Sequence, residues 1–386
     1  MVRPAPPRPG LDRLRILQII PALAFGGLER VATTLSVGLA PRVARVVVCS
    51  SGTRGYMGGA QLEDELRSAG LEILPIPRPS PQRPRAYASS VIAMARILRR
   101  ERPDVVHAHN PAAAVGAAAA RLLAGTRGTA IVATHHGVTR DQTRRAAQAL
   151  SASSDIVVGI GPTVTNDLRA AGVPEDRSAT VFNAVEVTAA RPRDEVRREL
   201  GAEGAELVVT VGRYIAEKNQ RLLLRAVAAL RDSRPRLRAA VVGYGELEDD
   251  LKAEAEKLQI ADRVAITGAR ADAVSIVAAA DAFALTSTEE GLGLVVLEAM
   301  AVGCPVVATA AGGIVDSVSD GETGLLVRDG DATALADALG KVLDDKKLRD
   351  HLVAGARDLV EREFSVETMI ERYGDVYERA VALRRR

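Results

Sequence analysis

The stretch TSTEEGLGLVVLEAMAVGCPVVATAAGG, residues 286–313, sets two carboxylates, Glu290 and Glu298, eight positions apart, with Gly291 and Gly293 directly behind the first. Leu294 to Met300 has helical character, so the glycines fall where a loop enters a helix. A helix N-terminus presents unpaired N–H groups and the positive end of its dipole, which suits a phosphate. Glycine, lacking a Cβ, lets the backbone come close to a ligand. Glu298 then lies about one turn into the helix, where its carboxylate can accept from vicinal hydroxyls, and Glu290 reaches a second polyol from the loop. A phosphate cradle between two hydroxyl acceptors suits a nucleotide-sugar. Alone, the Gly-x-Gly fits a solvated turn before an ordinary helix. The segment that follows, CPVVATAAGG, reads as a buried strand ending in a glycine turn, and strand, turn and acidic helix occur together in few folds.

Working outward, short apolar runs alternate with helical patterns along the whole chain. The first half reads as strands at 14–20, 45–49, 71–76, 104–109, 130–136, 155–160 and 178–184, with helices at 28–40, 61–69, 87–101, 112–124 and 162–171. The second half repeats the scheme with strands at 206–212, 238–245, 263–268, 281–287 and 305–310. Buried strands joined by crossover helices imply two doubly wound α/β domains, whose ligands bind at the carboxyl ends of the strands. A length of 386 residues, more than one typical core, agrees. The expected layout is a disordered Pro-rich tail at 1–12, an N-terminal domain at 13–187 and a C-terminal domain at 188–365 around a polar linker near 185–205. The final segment, 366–386, reads as a helix.

Composition removes several function classes. Aromatic residues are 3% and there is no Trp, which argues against a sugar-stacking carbohydrate module and a base-stacking single-strand binder. Cys49 and Cys304 lie far apart in apolar runs and read as buried free thiols of a reducing compartment. The apolar run ILQIIPALAF is broken by Pro21 and is too short to span a bilayer, so a cytoplasmic protein is expected. Charge is uneven: residues 1–185 hold 23 Arg, no Lys and 13 acidic residues, a balance of +10, against −8 for the remainder. An anionic partner for the first half follows. The densest basic run, Arg83 to Arg102 around VIAMARIL, reads as a basic amphipathic helix that suits an anionic membrane surface, or else as a solvated Arg-rich face. No recognition motif accompanies the charge, so nucleic acid is not expected.

Three further clusters carry chemistry. VGRYIAEKNQ (211–220) puts Arg213 and Lys218 at a strand-to-helix turn, where two cations neutralise a departing diphosphate or simply cap a loop. FGGLER (25–30) puts Gly26 and Gly27 directly after the first strand. HAHNP (107–111) and ATHHGVT (133–139) place four of the five histidines at strand ends, but His-x-His plus His-His is not a strong zinc signature and no carboxylate is placed with them.

The block EGLGLVVLEAMAVGCPVVAT resembles the E-x7-E signature of retaining glycosyltransferases of the GT-B fold, family 4 (glycosyl transferases group 1), and the likeness runs from about residue 14 to about 375. The usual E-G-F-G reads here with Leu292 for Phe, and the N-G-V-D element reads NAVE at 183–186. The resemblance implies two Rossmann-like domains facing a cleft, with the terminal helix crossing back to the first. It implies a UDP- or GDP-sugar donor, a glycan or lipid-linked acceptor, and no cofactor or metal. Glu298 is expected on the ribose, Arg213 and Lys218 on the diphosphate, Glu290 on the sugar hydroxyls, and His136 on the transferred sugar. Gly26, Gly27, Gly243, Gly291, Leu292, Gly293 and Leu294 are expected to line the donor, Arg270 to neighbour the base, and His109 and His135 to stand on the acceptor side. A front-face displacement assisted by the leaving phosphate needs no acidic nucleophile. No Asp-x-Asp motif is expected at a strand end in either domain. The rival readings are an epimerase or hydrolase on the same scaffold, and a non-catalytic scaffold protein.

Overall fold

The computed structural model describes residues 10–24, 26–53, 58–78, 83–137, 140–186 and 190–385. Residues 1–9 of the expected tail and the expected 187/188 boundary lie outside the described residues. Leu11, assigned to the tail, is buried in a short 3-10 turn. The chain forms two compact units: Met1–Ala184 with Val366–Arg386, and Val185–Ser365.

In the first unit the elements are β1 (Arg15–Ile20), α1 (Gly27–Leu39), β2 (Arg45–Ser50), α2 (Gly59–Ser68), β3 (Glu72–Pro75), α3 (Pro84–Glu101) and β4 (Val105–Ala108). They continue with α4 (Pro111–Ala124), β5 (Ala130–His135), α5 (Arg140–Ser153), β6 (Ile156–Gly159), α6 (Pro162–Ala170) and β7 (Ser178–Thr180). The seven strands pair in parallel in the order β3-β2-β1-β4-β5-β6-β7. Strands such as RILQII and AIVATH are mostly apolar and almost wholly buried because both sheet faces are covered by helices.

The second unit runs α7 (Arg193–Glu199), β8 (Glu206–Val211), α8 (Gln220–Ala229), β9 (Leu237–Val242), α9 (Glu248–Lys257), β10 (Val264–Gly268), α10 (Ala273–Ala278) and β11 (Ala282–Leu285). It closes with α11 (Leu294–Ala301), β12 (Val306–Thr309), α12 (Ile314–Ser317), β13 (Leu325–Val327), α13 (Ala332–Asp344) and α14 (Lys346–Glu363). Its parallel sheet has the order β10-β9-β8-β11-β12-β13. The last helix, α15 (Val366–Arg385), belongs to the first unit, where it buries Met369, Ile370, Tyr373 and Tyr377 and pairs Glu367 with Arg42 at 2.7 Å.

One strand escaped the sequence reading. β13 is only three residues long, too short for a period-2 signal. Recognising it exposes an Asp-x-Asp, Asp329-Gly330-Asp331, just beyond its end. Asp331 there caps α13, accepting from the Ala334 amide at 2.9 Å.

In each sheet the strand order reverses once. β1 is flanked by β2 and β4, and β8 by β9 and β11. Loops that leave such adjacent strands in opposite lateral directions open a crevice at their carboxyl ends, where ligands of doubly wound sheets bind.

Candidate functional site

At the reversal point of the second sheet, the loop after β8 and the loop after β11 are laced together. Thr286 donates to the Lys218 carbonyl at 3.0 Å, and the Thr288 amide to the Glu217 carbonyl at 2.8 Å. This lacing brings Lys218 and Glu290, 72 residues apart in sequence, into contact: Lys218 Nζ donates to Glu290 Oε1. Ser287 Oγ donates to the same oxygen at 2.8 Å. The ammonium is 21% and the carboxylate 11% exposed, so the pair sits at the edge of water with one face open. Arg213, two residues beyond β8, is exposed, and its guanidinium makes no ion pair among the described residues. Its carbonyl is tied down by Gln220 Nε2 at 2.8 Å.

Behind Glu290 the chain turns into α11. Gly293 caps the helix with φ 76°, and a Cβ there would lie 2.5 Å from Ile314 Cδ1, so a side chain is excluded by both conformation and space. The first intrahelical bonds run from Val296 and Leu297 to the Gly293 carbonyl. The amides of Leu294 and Val295 make no backbone hydrogen bond among the described residues and remain donors for an anion. Glu298 follows on α11, half-buried, four residues past Leu294.

The neighbouring strand ends are tied together by backbone bonds. The Tyr214 amide donates to the Tyr244 carbonyl at 2.7 Å, and the Gly243 amide to the Gly268 carbonyl at 3.0 Å. A Cβ on Gly243, at φ 151°, would stand 1.9 Å from the Gly212 carbonyl oxygen, which is why this loop is glycine. Tyr214 was missed by sequence reading. It is fully buried and donates to the Val241 carbonyl at 2.8 Å, and burial pushes its phenol up to about 12.

One expected donor contact is corrected. Leu292 is 2% exposed, so its side chain is core rather than pocket lining. The Arg270 guanidinium grips Asp272 at 2.8 and 2.9 Å and Glu199 at 2.7 Å, a network shared with Arg191. Those bonds hold the Asp272 carboxyl well below the usual range. The side chain is thus engaged at the TGARAD turn, and only its backbone is left to meet a base.

In the first unit, Gly26 and Gly27 open α1 at the carboxyl end of β1. Glu29 curls back over them: a Cβ on Gly26 would lie 2.3 Å from Glu29 Oε2. Burial raises the Glu29 carboxyl above its ordinary value. His109 and His135 are 1% and 3% exposed, so both side chains are buried. His136 is half-buried, yet both of its ring nitrogens are buried with no hydrogen-bond partner among the described residues. Burial lowers His107 to about 3 and His135 to about 4, and holds His109 and His136 well below the ordinary value. All four rings are neutral at pH 7. Among the described residues no group of three His, Cys, Asp or Glu could hold a metal ion.

Two parallel doubly wound units, each with its candidate groups at the strand-order reversal, define the GT-B class of α/β fold. The family description "Glycosyl transferases group 1" matches residues 192–359, and "Glycosyltransferase Family 4" matches residues 25–189. The chain belongs to this family and is a glycosyltransferase. N-acetyl-alpha-D-glucosaminyl L-malate synthase of Bacillus anthracis is 27% identical over 74% of this chain and 77% of its own length. A D-inositol 3-phosphate glycosyltransferase of Stackebrandtia nassauensis is 40% identical over 49% of this chain, and the alignment spans 46% of that relative. Among solved structures, Anabaena HepE in complex with UDP-glucose superposes with a TM-score of 0.81 at 22% identity, over 94% of this chain and 99% of that one.

Proposed function

We propose that this protein transfers a hexose or related sugar from a nucleoside-diphosphate donor to an acceptor hydroxyl, with retention of anomeric configuration. The observation that carries the reading is the Lys218–Glu290 pair, held beside exposed Arg213 at the reversal point of the second sheet, with the free amides of Leu294 and Val295 close behind in sequence. The diphosphate takes those amides and the two cations, which stabilise the charge that grows on the leaving group. The ribose meets Glu298 and the sugar hydroxyls meet Glu290; in the first unit, His136 meets a polyol hydroxyl. Leaving phosphate and acceptor share the front face, so the residues have to position and neutralise rather than attack. The complex of HepE with UDP-glucose supports a UDP-sugar, and the names of the two relatives support a small hydroxylated acceptor beside the glycan or lipid-linked one.

A thermal-shift panel of UDP-, GDP- and ADP-sugars, followed by product analysis with the stabilising donor, tests this reading. Stabilisation by one donor and a glycoside of unchanged anomeric configuration are expected. Release of free sugar without any acceptor favours the hydrolase reading, and silence across the panel favours a non-catalytic scaffold.

An anionic membrane surface fits as a second partner. Among the described residues, four of the six exposed large apolar side chains, Ile92, Val115, Leu122 and Leu123, lie on the adjacent helices α3 and α4. Exposed Arg85, Arg96 and Arg99 flank them, and the acidic residue of α3, Glu101, is buried. Apolar tips within a cationic rim suit shallow insertion between anionic headgroups. Among the described residues no helix is long and apolar enough to cross a membrane.

A further inference from the structure

The first unit contains a buried polar chain that the sugar-transfer reading does not use. It starts at Gln18, the one buried polar residue of the strand RILQII. A buried amide in a central strand costs free energy unless it is hydrogen-bonded, and this one is bonded at both ends. Its Oε1 lies 2.8 Å from His109 Nε2, and its Nε2 donates to the Tyr377 hydroxyl at 3.3 Å. The Tyr377 hydroxyl lies 2.8 Å from His107 Nδ1, His107 Nε2 lies 2.8 Å from Thr134 Oγ1, and Thr134 Oγ1 lies 2.8 Å from the Tyr373 hydroxyl. Strands β1, β4 and β5 are thereby joined to two consecutive turns of α15, whose Tyr373 and Tyr377 rings stack at 5.8 Å.

Such a chain has a direction. An amide oxygen only accepts, so His109 carries its proton on Nε2. The Tyr377 oxygen accepts from Gln18, and among the described residues His107 Nδ1 is the one other partner of its hydroxyl, so its proton goes there. His107 then carries its proton on Nε2 and donates to Thr134. One consequence lies at the opposite edge of the His109 ring. Its Nδ1 is a bare acceptor, buried and without a partner among the described residues, and the ring faces His136 with centroids 5.8 Å apart.

We propose that Gln18 and Tyr377 are positioning residues: together they fix His109 as its Nε2–H tautomer, so that Nδ1 offers a lone pair beside His136 to a hydroxyl of a bound polyol. The assignment deepens the reading that this edge of the first unit receives a polyol. It makes the terminal helix, 270 residues along the chain from His107, part of the site's electronic definition as well as its packing.

Long-range 1H–15N imidazole spectra of the whole, ligand-free protein test the polarity without any substrate, so they stand even if the sugar-transfer reading fails. Both His107 and His109 are expected as Nε2–H tautomers; two Nδ1–H tautomers, the chain running backwards, overturn the proposal. Tyr377→Phe is expected to mix both tautomers and to lower kcat about tenfold, the worth of one oriented hydrogen bond, with donor KM within about twofold. Gln18→Met, close to isosteric, is expected to mix the His109 tautomer in the same way and covers the case in which the Phe variant does not fold. Tyr373→Phe ends the chain at Thr134 and should leave both tautomers and kcat as in the parent. A Tyr377→Phe protein with unmixed tautomers, or a Tyr373→Phe protein that mixes them equally, shows that the tyrosines only pack.

Discussion

Replacing Lys218 with Ala separates the catalytic from the structural meaning of its contact with Glu290. The two groups are 21% and 11% exposed, so the attraction is only partly screened. Removal leaves the Glu290 carboxylate with the Ser287 hydroxyl at 2.8 Å as its remaining side-chain donor. Stranding one member of a largely buried pair costs about 1–3 kcal/mol. For a unit of this size that lowers Tm by roughly 2–10 °C. The catalytic cost is separate. A donor aimed at charge that grows in the transition state is worth about 3–4 kcal/mol, or roughly 10²–10³ in kcat. Donor affinity falls much less, because that charge is only partly developed in the ground state. Steady-state kinetics with the stabilising donor, read beside a thermal melt, resolve both numbers. The double variant Lys218→Ala/Glu290→Gln removes the stranded charge, so the melt recovers while kcat stays low. A single variant within about threefold of the parent kcat refutes the leaving-group assignment, and so does a double variant that regains turnover along with stability.

Glu298→Ala is expected to weaken donor binding about tenfold or more in calorimetry, the worth of hydrogen bonds to a charged acceptor, and unchanged affinity removes the ribose assignment. Acid should destabilise the first unit through its buried histidines. Their folded pKa values are depressed, to about 3 for His107 and about 4 for His135. The unfolded chain therefore binds the protons first, and stability is lost as pH falls below about 6.5, by up to about 1.4 kcal/mol per pH unit for each ring. Melts from pH 8 to 5 should show a falling Tm whose slope shrinks in His135→Gln, and a flat profile contradicts neutral burial. Leu122→Ser/Leu123→Ser is expected to cut sedimentation with anionic vesicles about tenfold while leaving the melt unchanged, since both side chains already face water, at 73% and 55% exposure. Equal binding to zwitterionic vesicles rules out the cationic rim.

Several features of this protein were legible in the residues alone. Buried parallel strands write themselves as runs dominated by apolar residues, so β1, β5 and β8 were placed to within a residue or so by their composition. Glycines forced by positive φ or close backbone approach, Gly293 and Gly243 among them, mark loop–helix and loop–strand junctions for the same local reason. Three-residue β13 left no such trace.

Tertiary structure decided what depends on partners remote in sequence. Strand order put the loops after β8 and β11 side by side and so joined Lys218 to Glu290. It also turned Leu292 into the core and tied Arg270 to Asp272 and Glu199, two fates that residue type does not encode. The packing of α15 onto the first sheet gave Gln18, His107 and Thr134 the tyrosine hydroxyls that complete their hydrogen bonds. Apolar periodicity is a local property, set by each residue's own preference for water or oil. The direction of a hydrogen bond and the neighbour of a charge are properties of pairs, and folding chooses the pairs.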